Sequence, residues 1–349
     1  MKKSLVAIAA LAASGAFAQS SVTLSGVMNV GLVYKSATAP GASKIGLDRG
    51  DNNTISFAGA EDLGGGMAAT FRAAMRYEPT TGGTEVGGAR PLFQAESRVG
   101  LRGGFGHIRL GRGLTALQAP NSVALDPWVV TTVASSVYAP GYFTDYIAGG
   151  EGRTDGIFYD TPNFSGLSAS MTYSPRKVLT TALTGKPFSS FAINYNNGPI
   201  GAILGYEQNR YGDSLMNVGG NYNLGPAKLY VGYGVVKGGS ATDRIGIATA
   251  APGSAVAPGA KNDAFSIGAT APLGAAKVLA GYSTFKAAGA TGKRDNKLGL
   301  GVNYALSKRT SIYSDIASTS RNNNAVNLVD ASKNNNRATA LDLGISHSF

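Results

Sequence analysis

The sequence predicts an all-β fold, a closed antiparallel barrel of sixteen strands that crosses a membrane, with tight turns at one end and long loops at the other. Three observations lead there. Both ends of the chain alternate apolar and polar residues with a period of two, as a strand with one apolar face does. Tight turns marked by Gly, Asn and Pro alternate with much longer polar segments. Beyond residue 18 no apolar run approaches the roughly 20 residues of a membrane-spanning helix. A barrel hides its apolar surface in alternation, so a mean hydropathy near zero is compatible with it.

In chain order, Met1 to Ala18 reads as an export signal: Lys2 and Lys3, an apolar stretch from Leu5 to Ala13, and a small-x-small site at Ala16-Phe17-Ala18. The mature chain is expected to begin at Gln19, leaving 19–349 as one barrel domain. The whole chain carries 31 basic and 20 acidic residues, a net charge of +11, and no cysteine. Disulfides, thiolate metal sites and thiol nucleophiles are thereby excluded, and nothing calls for a metal, a cofactor or nucleic acid.

The opening strand, Val22 to Tyr34, puts Val22, Leu24, Met28, Val30, Leu32 and Tyr34 on one face. The closing strand does the same with Leu341, Leu343, Ile345 and Phe349, and leaves Asp342, Ser346 and Ser348 as a mild inner face. A barrel in lipid has no free edge, so these two strands are expected to pair. Between them tight turns fall at 62–66, 103–106, 163–166, 196–199, 224–227, 273–276 and 306–309. The long segments are 35–51, 79–93, 113–152, 176–187, 210–213, 238–262, 287–295 and 320–337, all expected as loops. A sandwich does not alternate short and long connections so strictly. Tyr34, Tyr77, Tyr159, Tyr173, Tyr195, Tyr206, Tyr222, Tyr230, Tyr282, Tyr304 and Tyr313 lie mostly near strand ends and are expected to form interfacial girdles.

Strand parity then assigns the lumen. With Phe71, Met75, Val99, Leu101, Ile108 and Leu110 outward, Arg72, Arg76, Arg98, Arg102 and Arg109 point inward, together with Glu96. An arginine on the lipid face costs about 2–4 kcal/mol at the midplane, so an inner, watered arginine ladder is the expected arrangement. Arg112 has outward parity unless the chain bends at Gly111. The segment 113–152 is the longest loop and carries Leu125, Trp128, Val129 and Val133, unusual for a solvent loop. Folded onto the inner wall, it would narrow the lumen and set Asp126, Asp145 or Glu151 across from the arginines.

Such a chain is expected to pass small hydrophilic solutes and ions, with a preference for anions. A channel with a dedicated site for one anionic solute would use the same arginines, and an adhesin would use the loops 238–262 and 320–337. Catalysis is disfavoured because the two histidines, His107 beside a turn and His347 on the lipid face, offer no base beside a nucleophile.

The blocks Ser20-Ser-Val-Thr-Leu-Ser-Gly26, Phe57-Ala-Gly-Ala-Glu-Asp-Leu-Gly-Gly-Gly66, Gly104-Phe-Gly-His-Ile-Arg-Leu-Gly-Arg112, Tyr159-Asp-Thr-Pro-Asn-Phe164 and Gly344-Ile-Ser-His-Ser-Phe349 resemble the general porins of Gram-negative outer membranes, above all those of β-proteobacteria. The resemblance covers the whole mature chain. It implies a homotrimer of sixteen-stranded barrels in outer-membrane lipid and lipopolysaccharide, with the third long loop turned inward. It further implies Arg112 as a constriction arginine and Phe349 as the signal read by the barrel-assembly machinery. Thr54 and Phe158 stand where relatives often carry basic residues, which weakens the usual arginine cluster.

Overall fold

The computed structural model describes residues 21–36, 44–85, 87–118, 125–129, 132–135, 152–175, 178–180, 183–184, 186–210, 212–238, 259–286, 294–320 and 337–349. The strands are β1 (Ser21–Lys35), β2 (Ile45–Asp48), β3 (Thr54–Gly64), β4 (Met67–Arg76), β5 (Glu96–Gly103), β6 (Gly106–Leu114), β7 (Arg153–Asp160), β8 (Leu167–Ser174), β9 (Val178–Thr180) and β10 (Leu183–Thr184). They continue as β11 (Phe188–Asn197), β12 (Ile200–Gln208), β13 (Ser214–Asn223), β14 (Lys228–Lys237), β15 (Lys261–Leu273), β16 (Ala276–Lys286), β17 (Asp295–Ala305), β18 (Thr310–Ser320) and β19 (Arg337–Ser348).

Each barrel strand is antiparallel to its sequence neighbours, and β19 returns to β1, with Val27 opposite Ser348 and Lys35 opposite Ala340. Gly26 and Phe349 finish the seam by exchanging backbone hydrogen bonds of 3.1 Å in both directions. The closure leaves no strand edge in lipid, where an unpaired backbone amide would cost several kcal/mol, roughly as much as a lost hydrogen bond in an apolar solvent. β2 and β3 pair with the same edge of β1, so they form one barrel strand interrupted by an excursion at 49–53. With β2 and β3 counted together and the small β9–β10 ribbon set aside, the barrel has sixteen strands. The expectation of plain loop at 35–51 and 176–187 is corrected by β2 and by the β9–β10 ribbon, where Ile45-Gly-Leu-Asp48 and Val178-Leu-Thr180 extend neighbouring hairpins.

The face alternation is carried by large apolar side chains. Val99, Leu101, Leu110, Leu298, Leu300 and Leu343 are exposed on the outside, while their strand neighbours turn inward. The apolar clusters lie inside the barrel. One joins Leu117 and Leu125 to Ala192, Ile203, Leu215, Val236, Ala264 and Phe285. The other joins Trp128 and Ala134 to Leu279 and Ala317. Tyr173, Tyr195, Tyr206, Tyr222, Tyr282 and Tyr304 are exposed on the outer surface, as expected of girdle residues. Tyr230 and Tyr313 are not: both are buried on the inner face, Tyr230 under Lys228 at 5.3 Å and Tyr313 with its hydroxyl donating to Asn29 Oδ1 at 2.8 Å. Parity rather than nearness to a strand end decides their direction, since each falls between outward residues such as Leu229 and Val231, or Ile312.

Candidate permeation site

The inner face of β4 to β7 is basic. Arg72 and Arg98 are Cα partners across the β4–β5 ladder, and Arg102 lies opposite His107 across the next one. Glu96 joins the first two: its Oε2 is 3.1 Å from Arg72 Nε and its Oε1 2.9 Å from Arg98 Nη2. The two arginines differ in exposure. The Arg72 side chain is 53% exposed and reaches the aqueous lumen, whereas that of Arg98 is 10% exposed. Arg98 is confined by the Phe158 ring, 5.0 Å from its guanidinium carbon, and by Gly113, where a Cβ would stand 2.7 Å from that carbon. Thus Phe158, at a position where the resemblance implies a basic residue, supports a guanidinium in place of adding one. Arg102 is exposed on the same face, Arg109 pairs with Asp160, and Thr70 Oγ1 lies 2.9 Å from His107 Nε2. Arg112 keeps the parity of Ile108 and Leu110, because the ladder runs through Gly111 without a register shift. Its Nε donates to the Gln94 carbonyl at 2.8 Å, so it fastens the entry to β5 outside the Arg72–Glu96–Arg98 group.

Above this wall sits a second charged group that parity did not reveal. Glu85, on the loop after β4, is 3% exposed and pairs with Arg49 and with Arg76, 3.2 Å from its Nε. Gln94 Nε2 donates to the same carboxylate at 3.0 Å. Burial pushes the Glu85 carboxyl up, but Arg76, Arg49 and Gln94 outweigh it and hold the group below the ordinary carboxylate value. At Asp51, on the excursion between β2 and β3, burial prevails over the Asn52 amide, Arg76 and Arg49, and the carboxyl lies above its ordinary value.

The described parts of 113–152 run along the opposite wall. The Ala116 amide donates to Thr172 Oγ1 on β8 at 3.0 Å, and the Leu117 amide to Ser190 Oγ on β11 at 3.1 Å. Leu125 joins the apolar cluster on β11 to β16. Further on, Trp128 Nε1 donates to Asp315 Oδ1 on β18 at 2.6 Å, and the Val133 amide to Asp342 Oδ2 on β19 at 3.0 Å. Lys297 Nζ on β17 donates to the Ser135 carbonyl, and the Thr132 amide to the Gly50 carbonyl in the excursion, both at 2.5 Å. The described parts of the loop therefore lie inside the barrel against β8, β11 to β19 and the excursion before β3.

This path reassigns the acids. Asp126 does not face the arginines across the lumen. It is 1% exposed, in the field of the buried Lys297 ammonium, because the turn at 125–129 drives Leu125 and Trp128 into the wall and carries Asp126 with them. Asp342, expected to be part of a mild inner face, anchors the loop and also accepts the Asp315 amide at 3.0 Å. Glu207, Asp315 and Asp342 are all 3% exposed or less. Asp145 and Glu151 lie outside the described residues. Arg49, Glu85, Lys297 and Asp315 were not picked out from sequence. Parity alone would have turned Asp315 and Lys297 inward, but only the loop's path gives them partners.

A family model described as Gram-negative porin matches residues 4–325. The chain belongs to the Gram-negative porin family. Outer membrane porin protein 32 of Delftia acidovorans is 31% identical over 375 residues, covering 100% of both chains. An outer membrane porin protein of Bordetella pertussis is 26% identical, again over 100% of both. Among solved structures, an anion-selective porin from Comamonas acidovorans superposes with a TM-score of 0.77 at 26% identity, covering 95% of this chain and 100% of that one. The trimer form of OmpT from Vibrio cholerae, 14% identical with a TM-score of 0.68, shares the fold. The porin is thus an outer-membrane β-barrel channel.

Proposed function

We propose that this porin is a passive channel for small hydrophilic solutes and ions that prefers anions, with the mature chain starting at Gln19 and working as a homotrimer. The observation that carries the anion preference is the division of charge between the two inner walls. Arg72 and Arg102 are exposed on the arginine wall, while Asp126, Glu207, Asp315 and Asp342 are buried on the wall that the loop covers. Charges in the lumen act on a passing ion across a few ångströms of water, whereas those behind the loop are paired or screened by it. The anion-selective porin from Comamonas acidovorans, which this chain resembles, supports the same reading. Support for the trimer comes from family membership and from the trimer form of OmpT, and size-exclusion chromatography with light scattering in mild detergent tests it.

The decisive experiment is reversal-potential measurement across planar bilayers under a KCl gradient. Arg72→Ala combined with Arg102→Ala is expected to lower the chloride-to-potassium permeability ratio while the channel still opens. An unchanged ratio would reject the proposal.

A further inference from the structure

The wall behind the loop is notched where the loop crosses it. Glycines stand at inward positions on five of the strands there: Gly205 on β12, Gly219 on β13, Gly268 on β15, Gly281 on β16, and Gly299 and Gly301 on β17. A Cβ at Gly205 or Gly268 would overlap Leu117 Cδ1 or Pro127 Cγ. At Gly219 it would lie 2.7 Å from Leu125 Cδ2, and at Gly281 2.7 Å from Trp128 Cζ3. At Gly299 it would meet the Ala134 carbonyl at 2.5 Å and Trp128 Cη2 at 3.1 Å. None of these glycines has a φ in the left-handed region, so no turn requires them. At Gly205, Gly268, Gly281 and Gly299 the nearest atom to such a Cβ belongs to the loop, so the missing side chains permit its close approach, whereas at Gly219 the Val231 carbonyl and at Gly301 Asp315 Oδ1 stand nearer still.

We propose that this glycine row is the seat of the inward loop and sets how far the loop stands out into the lumen, and hence the largest solute the porin passes. Trp128 is the spacer in that seat. Its ring lies against Gly281 and Gly299, its Nε1 is bonded to Asp315, and the backbone at 132–135 is held at three further points by Gly50, Asp342 and Lys297. A loop held at both ends of this span has one direction in which to give when the wall gains volume, which is toward the lumen. The size limit is therefore a property of the far wall, and the ion preference a property of the arginine wall.

The test compares Gly281→Ala combined with Gly299→Ala, the wild type and Trp128→Ala, each refolded and checked for β content. Single-channel KCl conductance and liposome swelling with uncharged sugars of graded size are the readouts. The glycine variant is expected to conduct about 1.5-fold less and to exclude sugars that the wild type admits, since a Cβ displaces the loop by about 1 Å. Trp128→Ala is expected to shift both readouts the other way, and the glycine variant to keep the wild-type chloride-to-potassium ratio. Unmoved readouts, or shifts of the two variants in the same direction, would overturn the proposal. Should the glycine variant fail to fold, Trp128→Phe and Trp128→Ala decide it: conductance must rise from Trp to Phe to Ala. Because the size readout uses uncharged sugars, its failure is separate from failure of the anion preference.

Discussion

Replacing Glu96 by Gln removes the negative charge that Arg72 and Arg98 share, at 3.1 and 2.9 Å, while keeping the side chain's size and an acceptor oxygen. The wall then gains one positive charge. For an ion passing about 6 Å away in water this is worth about 0.7 kcal/mol, and about 0.4 kcal/mol at 0.1 M salt, where the screening length is about 10 Å. Chloride gains that amount and potassium loses it, so their permeability ratio is expected to rise about 4-fold at 0.1 M salt and to approach 10-fold in dilute solution. Reversal potentials under a fixed KCl ratio at two mean concentrations read this directly. A ratio that stays put in dilute salt, or a shift of equal size at both concentrations, would refute the assignment of Glu96 as the carboxylate that tempers the arginine wall.

Three other outcomes follow from the same geometry. Glu85 lies below the ordinary carboxylate value because Arg76 and Arg49 outweigh its burial, so its stabilising contribution is present above the unfolded pKa of about 4.3 and lost as pH falls through the lower folded value. Thermal unfolding of the wild type in acid is expected to show this loss, and Glu85→Gln to flatten it. Val99→Arg, at an outward position 59% exposed, is expected to lower the stability of the barrel folded in bilayers by about 2–4 kcal/mol if Val99 lies near the midplane, measured by urea titration. Tyr313→Phe removes a hydroxyl donor from Asn29 Oδ1, which still accepts the Gly50 amide at 2.8 Å, so about 1 kcal/mol of stability is expected to go, read from the same titration.

The inward direction of Arg72, Arg98, Arg102 and Arg109 was legible in the sequence, because a strand has only two faces and lipid rejects guanidinium on one of them. The partners of those arginines were not. Glu96 lies near them in sequence, but Glu85 reaches Arg49 and Arg76 from a loop, and Phe158 reaches Arg98 from a strand about sixty residues away, distances that no periodicity encodes. Tyr313 and Tyr230 show the limit of position as a guide, since nearness to a strand end and facing lipid are independent properties.

The chain by itself determined the barrel: the period of two, the seven tight turns and the matching first and last strands leave closure as the one way to satisfy every backbone amide in lipid. Only the tertiary structure decided which charges stay exposed inside the barrel. Asp126, Asp315 and Asp342 are as acidic in sequence as Glu96, and Lys297 as basic as Arg72. The described loop segments, crossing a row of glycines, bury the first set, while Arg72 and Arg102 stay exposed, and that choice depends on loop-to-wall contacts between residues up to 209 positions apart.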